Sequence, residues 1–142
     1  MGNLSGKNAF VTGTSQGIGA ATSKALIEAG CNICMHYFHS GEIPFKLQKI
    51  AETNNQKAIC LKADLTNEEE AVNCVKAAAG FLNSFDVLIN NSGSLVERRY
   101  LSGIDTGYWQ TLLDINLKTM ILVTRELLPY FNRTEGSSIV NL

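Results

Sequence analysis

The chain has 142 residues, a formal net charge of −1 and 45% hydrophobic residues, values typical of one soluble globular domain. Because its basic residues do not cluster, we expect neither nucleic acid nor an anionic membrane as a partner. We expect a cytoplasmic protein, since the N-terminus lacks the apolar core of a secretory signal and no apolar run approaches the roughly 20 residues that span a membrane.

Apolar runs and helical periodicity alternate along the first half of the chain. The elements predicted there are strands at Asn8–Thr12, Asn32–Tyr37 and Lys57–Lys62, and helices at about 17–29 and around Pro44–Ala51. Thr66–Glu69 then has the pattern of a capping box, which predicts a helix from there to Phe81.

The second half continues the alternation. The elements predicted there are a strand at Phe85–Asn90, a long helical region from about Asp105 to Tyr130 with a possible break near Leu117, and a strand starting at Ser138. Strands this apolar, each separated by a helix, indicate a parallel sheet covered on both faces. The predicted fold is therefore a doubly wound α/β fold of Rossmann type.

Four cysteines raise the question of a metal site or a disulfide: Cys31, Cys34, Cys60 and Cys74. Cys31 and Cys34 have C-x-x-C spacing. The segment around them is typical of a strand, in which residues three apart point to opposite faces. We therefore expect four reduced, mostly buried thiols and no metal site.

A glycine-rich turn, Thr12–Gly19, lies between the first strand and the first helix. Its glycines permit a tight turn, and a helix N-terminus presents free N–H groups that can bind a diphosphate. A turn of this kind can also be merely structural. The residues that follow decide in favour of a binding role.

The spacing T-G-x-x-x-G-x-G resembles that of the short-chain dehydrogenase/reductase family. Further landmarks of that family follow in order: Asp64-Leu65, then Asn90-Asn91-Ser92-Gly93, which resembles N-N-A-G, then Asn116. The resemblance is to the 3-oxoacyl-carrier-protein reductases and glucose dehydrogenases, and it covers the whole chain. Because those families extend farther, residues 1–142 are expected to form one incomplete dinucleotide-binding domain, truncated after the fifth strand.

The resemblance implies a role for each matching residue. The phosphate turn would consist of Gly13, Ser15, Gln16, Gly17, Ile18 and Gly19. Asp64 would accept a hydrogen bond from the adenine amino group, although it could be a solvated turn residue, and Leu65 would lie beside the ring. Asn91, Ser92 and Gly93 would approach the ribose near the nicotinamide. Asn90 would instead brace neighbouring strands.

The cofactor is expected to be a nicotinamide dinucleotide, with NADP(H) favoured over NAD(H). NAD-preferring members place an acidic residue at the end of the second strand, which repels a 2′-phosphate. Tyr37 occupies this place, and no carboxylate follows before Glu42. Gln16 and Phe38 occupy positions that are often basic in NADP enzymes. His39 and Ser40 could partly replace those basic residues, or His36 and His39 could be ordinary strand-end residues.

The family's chemistry transfers hydride between the cofactor and a carbonyl or alcohol, using Ser, Tyr and Lys with the last two in Y-x-x-x-K. The four tyrosines of this chain have Gly41, Ile104, Leu112 and Thr134 at the lysine position, and the chain stops before the family serine. Asn116 is the one catalytic match. It would shape the long helix and hold a proton-relay water, or it could be structural. The chain alone is therefore expected to be inactive.

The long helical region carries more apolar residues than one sheet face needs, so we expect a homo-oligomer or a complementing chain to cover the rest. Three functions remain open: part of an NAD(P)(H)-dependent oxidoreductase, a non-catalytic nucleotide-binding module, or a structural subunit that associates through this helix. No residue identifies the carbonyl or alcohol substrate. Ser94–Tyr100 could border its pocket, although Glu97, Arg98 and Arg99 are typical of a solvated loop.

Overall fold

Five parallel strands form a single sheet. The structure, a computed structural model, describes residues 4–133 and 136–142. The strands are β1 (Asn8–Val11), β2 (Asn32–Tyr37), β3 (Ala58–Lys62), β4 (Val87–Asn90) and β5 (Ser138–Asn141). Their order across the sheet is β3-β2-β1-β4-β5, which confirms the doubly wound fold predicted from the alternating pattern.

Each face of the sheet has its own hydrophobic core, because successive side chains of a strand point to opposite faces. On one face, Ala9 and Val11 of β1 pack beneath two helices, α1 (Gly17–Glu28) and α2 (Glu42–Thr53). On the other face, Phe10 packs beneath α3 (Glu68–Leu82). All three of these side chains are fully buried, which explains why β1 is apolar throughout.

The start of α3 differs from the expectation. Asn67, not Thr66, is the N-cap, and its side chain accepts a hydrogen bond from the Glu70 amide. The Thr66 hydroxyl instead donates to Oδ1 of Asp64 at 2.7 Å. The capping box predicted at Thr66–Glu69 is therefore wrong, because Thr66 is held by the turn that precedes the helix.

The long helical region is confirmed, and it has an internal irregularity. Asp105 caps α4 (Thr106–Leu113), which continues through a π-helical turn, Asp114–Lys118, into α5 (Thr119–Leu127). A short 3-10 turn, Leu128–Tyr130, ends the region. The break expected near Leu117 corresponds to the π-helical turn, a feature that often accompanies functional sites.

The cysteines lie as the strand geometry predicted. Cys31 belongs to the core beneath α1 and α2, whereas Cys34 belongs to the core on the α3 face. All four thiols are free, and Cys60 is the one that is partly exposed. Among the residues that the structure describes, no cluster of His, Cys, Asp or Glu could hold a metal ion. None of the described helices is both long enough and apolar enough to cross a membrane.

Part of the apolar surface of the long helix faces solvent, as its composition predicted. Trp109 and Ile121 are 53% and 50% exposed, whereas Leu122 and Val123 beside Ile121 are buried. Val140 of β5 is also exposed. This is the surface that we expect an associating chain to cover.

Candidate functional site

A cleft of about 730 Å³ lies at the carboxyl ends of the strands. It opens where the chain, after building β1, β2 and β3 to one side, crosses over to β4 on the other side of β1. Doubly wound sheets bind ligands at this switch point, and the volume suits a small-molecule ligand. The predicted site residues that line it are Gly13, Ser15, Gln16, Ile18, Asp64, Leu65, Asn91, Ser92 and Gly93.

The glycine turn has a backbone that other residues would not adopt easily. Gly13 and Gly17 have φ values of +69° and +57°, in the left-handed region. Gly19 is required for space, because a Cβ there would overlap the Gly13 carbonyl oxygen and lie 2.5 Å from Nδ2 of Asn91. Gly17 and Gly19 do not line the cleft themselves, but they shape the residues that do.

The N-terminus of α1 points into this cleft without a side chain to cap it. Gln16 occupies the N-cap position in an extended conformation and makes no capping hydrogen bond, and no acidic residue lies in the first turn. The first N–H groups of the helix, together with the positive end of its dipole, are therefore suited to an anion. The turn and helix together fit a diphosphate group.

His36 connects the segments that surround the cleft. The ring is 3% exposed; Nδ1 accepts from the Gly13 amide at 3.2 Å, and Nε2 lies 3.0 Å from the Ala63 carbonyl oxygen. Burial lowers the pKa of His36, and the Ala63 bond and the nearby Asp64 oppose that effect. The sequence is compatible with an ordinary strand-end residue or a phosphate contact at His36, and it does not reveal these hydrogen bonds. The available signal was a polar side chain after the apolar run Ile33–Met35 of β2.

Asn91 braces the glycine turn from the opposite side. Its Nδ2 donates to the carbonyl oxygens of Thr12 and Gly13 at 3.0 and 2.9 Å. The Thr12 hydroxyl in turn accepts from the Asn91 and Ser92 amides at 3.0 and 2.9 Å. Nδ2 of Asn91 is thus occupied by the turn, so any contact of Asn91 with a ribose would involve Oδ1 or the backbone.

Asn90 holds neighbouring elements together, as expected. Its Nδ2 donates to the Thr124 hydroxyl in α5 at 3.0 Å and to Oδ1 of Asn141 in β5 at 2.9 Å. Oδ1 of Asn90 is buried and has no hydrogen-bond partner within the described part of the chain. Asn90 therefore belongs to the support of the cleft and not to its lining.

Asn116 contacts the loop that lines the cleft without lining the cleft itself. Its side chain makes two hydrogen bonds with the backbone of Ser94 and donates a third to the Leu112 carbonyl oxygen at 2.9 Å. A Cβ added to Gly93 would lie only 2.7 Å from Oδ1 of Asn116. Glycine at position 93 makes this close approach possible. The structure therefore shows Asn116 fixing the backbone that follows β4.

Asp64 and Leu65, which follow β3, both line the cleft. Asp64 accepts from the backbone amide and the hydroxyl of Thr66 at 2.9 and 2.7 Å, while its own amide donates to Glu70. Leu65 is buried yet contributes to the lining. Asp64 is thus a turn-forming residue that also lines the cleft.

Tyr37 is not among the described residues that line the cleft, whereas its neighbours His36 and Phe38 are. Its ring packs edge-on against Phe45 of α2, with ring centroids 5.7 Å apart. Strand alternation explains this difference, because His36 faces the glycine turn and its neighbour must face away. Phe38 and His39 line the cleft in its place, with their own ring centroids 4.6 Å apart.

The remaining wall comes from the loop after β4 and from the long helix. The lining residues there are Ser94 and Val96, from the segment expected to border a substrate pocket, and four residues of the long helix that the sequence did not point to: Thr111, Asp114, Ile115 and Thr119. The Tyr108 hydroxyl bonds the Leu95 carbonyl oxygen at 2.8 Å, and the Arg99 guanidinium lies 4.2 Å from the Tyr108 ring centroid. Arg99 is therefore an exposed loop residue, as expected, and its guanidinium packs on the Tyr108 ring.

Comparison with known proteins agrees with this architecture. The family model for short chain dehydrogenases matches residues 7–142. An uncharacterized oxidoreductase of Methylorubrum extorquens is 32% identical over all 142 residues, which cover 56% of that relative. A 3-oxoacyl-[acyl-carrier-protein] reductase of Synechocystis sp. is 28% identical over the same 142 residues, which cover 57% of it. The chain thus spans little more than half the length of these relatives.

Solved structures show the same correspondence. A blue fluorescent protein from a metagenomic library, in complex with NADPH, matches with a TM-score of 0.88 and 28% identity over 98% of this chain and 56% of its own. The NADH-dependent reductase A1-R′, complexed with NAD, matches with a TM-score of 0.81 and 28% identity over 89% of this chain and 53% of its own. The chain described here belongs to the short-chain dehydrogenase family.

Proposed function

We propose that this chain forms the dinucleotide-binding domain of an oxidoreductase that transfers hydride between NADP(H) or NAD(H) and a carbonyl or alcohol. The observation that carries this proposal is the uncapped N-terminus of α1, which meets a turn where a side chain on Gly19 would not fit. A diphosphate is the part of a dinucleotide that such an arrangement binds.

The rest of the cleft suits the rest of the cofactor. Ser15, Gln16 and Ile18 would surround the diphosphate, mainly through backbone N–H groups. Asp64 and Leu65 would receive the adenine at one end. Asn91, Ser92 and Gly93 would contact the ribose next to the nicotinamide, through the atoms that the turn leaves available. When bound, the cofactor supplies or accepts the hydride.

A preference for NADP(H) over NAD(H) is the finer part of the proposal. No carboxylate lies between Tyr37 and Glu42, so nothing on this segment repels a 2′-phosphate. His39 lines the cleft and could donate a hydrogen bond to that phosphate. Tyr37 would contribute through its backbone, since its ring packs on Phe45. The matching solved structures include one with NADPH and one with NAD, so both cofactors are tested below.

Catalysis would need a serine and a tyrosine–lysine pair, which are not present at the required spacing among these 142 residues. We propose that the intact protein supplies them beside the wall that Thr111 and Ile115 form. Asn116 would act through the shape of the long helix and of the Ser94 loop. We further propose that the substrate is a small carbonyl or alcohol compound and that the protein is cytoplasmic. It would associate with a copy of itself or a complementing chain through the exposed long helix.

The alternative function, a nucleotide-binding module without catalysis, is favoured by the same cleft. The two differ in whether bound NADPH or NADH is consumed when a carbonyl compound is added. A structural subunit without a cofactor would bind neither dinucleotide. One set of titrations and one assay therefore separate the three possibilities.

The test is isothermal titration of the intact protein with NADPH and NADH. We expect saturable binding of at least one dinucleotide, and no binding to Gly19→Ala, because the added Cβ displaces the Gly13 carbonyl. Gly80→Ala is the matched control, since a Cβ there meets nothing within 4 Å. Equal affinity of Gly19→Ala and the unmodified protein would contradict the proposal, as would the absence of binding to a folded protein.

A further inference from the structure

His36 contacts three segments that are far apart in sequence. Its Nδ1 accepts from the Gly13 amide at 3.2 Å and lies 3.4 Å from the Ser92 hydroxyl. Its Nε2 lies 3.0 Å from the Ala63 carbonyl oxygen, directly before Asp64. One imidazole therefore joins the glycine turn, the turn after β4 and the end of β3.

The His36 backbone adds to this connection. Its carbonyl oxygen accepts from both the amide and the hydroxyl of Thr14, each at 2.9 Å. Thr14 is a fully buried residue of the glycine turn. Residue 36 thus holds two consecutive residues of the turn, one through its side chain and one through its backbone.

The hydrogen-bond pattern determines the protonation state of the ring. The Gly13 amide can only donate, so Nδ1 must be the unprotonated acceptor. The Ala63 carbonyl oxygen can only accept, so Nε2 must carry the proton. Both conditions are met by one species, the neutral Nε2–H tautomer. A second proton on Nδ1 would face the Gly13 N–H and break that bond.

The ionisable groups around His36 are few. The glycine turn and the segment Asn90–Gly93 contribute none. Asp64, at the end of β3, favours the protonated ring, whereas burial of the ring opposes protonation more strongly. His39, which follows on the same segment, is the other histidine of the chain. Its contribution must therefore be separated experimentally.

We propose that His36, as the neutral Nε2–H tautomer, is a positioning residue that holds the three cleft segments in register for dinucleotide binding, and that its protonation weakens that binding. This inference rests on the proposed function, because it assigns the geometry of the same cleft. Its consequence is an affinity for dinucleotide that falls in mildly acidic solution. The loss of a hydrogen bond at the glycine turn would be the cause.

The first experiment reads the tautomer without any cofactor. Nitrogen NMR of the intact, 15N-histidine-labelled protein at pH 7.5 should show His36 with Nδ1 unprotonated and Nε2 protonated, the resonance being assigned by its loss in His36→Asn. On acidification the ring should become protonated below the ordinary histidine value of 6.5. A protonated Nδ1 at pH 7.5 would overturn the proposal even if the protein binds dinucleotides.

The second experiment measures dissociation constants for NADH and NADPH between pH 5 and pH 8. We expect the affinity for both to fall about fivefold or more toward pH 5. NADH is needed because the 2′-phosphate of NADPH itself titrates near pH ~6. His39→Gln should retain the pH dependence with NADH, which assigns it to His36.

Two substitutions at position 36 complete the design. His36→Asn offers an acceptor to the Gly13 amide but cannot titrate, so its affinity for NADH should be independent of pH. His36→Leu should bind weakly at every pH, because it offers no acceptor. If His36→Asn retains the pH dependence of the unmodified protein, the proposal is wrong. If no dinucleotide binds at any pH, the proposed function fails, while the NMR result still decides the tautomer.

Discussion

The Asn116 side chain makes two hydrogen bonds with the backbone of Ser94, in the loop that follows β4. Its Oδ1 accepts from the Ser94 amide at 3.0 Å, and its Nδ2 donates to the Ser94 carbonyl oxygen at 2.9 Å. The π-helical turn Asp114–Lys118, within which Asn116 lies, is the irregular part of the helix from which this contact is made. Position 116 therefore acts on the backbone beside the cleft.

Replacing this side chain should loosen the loop. We expect Asn116→Ala to lower the free energy of unfolding by about 1–2 kcal/mol, because its hydrogen bonds to Ser94 and Leu112 are lost. Hydrogen exchange at the Ser94 amide should accelerate. Gln110→Ala, which removes a solvent-exposed side chain of the same helical region, is the control. Unchanged exchange at Ser94 in Asn116→Ala would show that the loop is held by something else.

A buried polar residue, Asp86, should affect stability without affecting the cleft. At the other end of the sheet, its carboxylate accepts from the Asn8 amide at 2.9 Å and from Asn132 at 3.2 Å, and it pairs with Lys7 at 3.3 Å. Asp86→Ala should lower the free energy of unfolding by about 2–4 kcal/mol in urea denaturation, because the Asn8 amide loses its carboxylate partner.

Lys7→Met separates the charge pair from the hydrogen bonds. The lysine is partly exposed, so its removal should cost at most about 1 kcal/mol. Folded Asp86→Ala should keep the dinucleotide affinity of the unmodified protein. A large loss of affinity in Asp86→Ala would mean that the two ends of the sheet are coupled.

Stability should also depend on pH through His36. Burial lowers the pKa of this ring in the folded protein, while the unfolded chain keeps the ordinary value of 6.5. Between those two values the unfolded chain binds more protons, so the free energy of unfolding should fall as the pH drops below 6.5. Urea denaturation from pH 5 to pH 8 measures this, and parallel curves for the unmodified protein and His36→Asn would exclude it.

The thiols should be unreactive in the folded protein. Burial raises the pKa of Cys31 to about 11 and that of Cys60 and Cys74 to about 12, and it raises the pKa of Cys34 most. Because the thiolate is the reactive species, a disulfide reagent at pH 7.5 should label these cysteines slowly. Denatured protein should react at all four positions. Rapid labelling that Cys60→Ser does not remove would contradict the burial of the other three.

The cofactor preference can be altered at Phe38, which lines the cleft and is 44% exposed. Phe38→Arg should strengthen NADPH binding relative to NADH binding by about tenfold, because a guanidinium forms charge-assisted hydrogen bonds with a phosphate. Phe38→Leu controls for loss of the ring. Equal effects of Phe38→Arg on the two dissociation constants would place the 2′-phosphate elsewhere.

Local patterns were sufficient to predict most of the fold. The bounds of β2 agree with the prediction at both ends, because a turn at Gly30 follows the preceding helix and a polar segment follows the strand. The helix cap at Thr66 was mispredicted for a local reason. Asn67 and Glu70 repeat the same capping pattern one residue later, and the bond from Thr66 to Asp64 decides between them.

The support of the cleft could not be predicted in the same way. The contact of His36 with Gly13 joins β2 to the turn that follows β1, and a pattern within one strand does not reveal it. The commitment of the Asn91 amide to the glycine turn also depends on how closely β1 and β4 approach. The family resemblance indicates candidate residues for the site, but it does not indicate which of them hydrogen-bond one another.

The most direct test is a crystal structure of the intact protein with NADPH. We predict that its diphosphate lies against the N-terminus of α1, within hydrogen-bond distance of the Ile18 amide, with the adenine beside Leu65. A diphosphate bound elsewhere, or density for the cofactor absent from this cleft at saturating concentration, would contradict the assignment of the glycine turn.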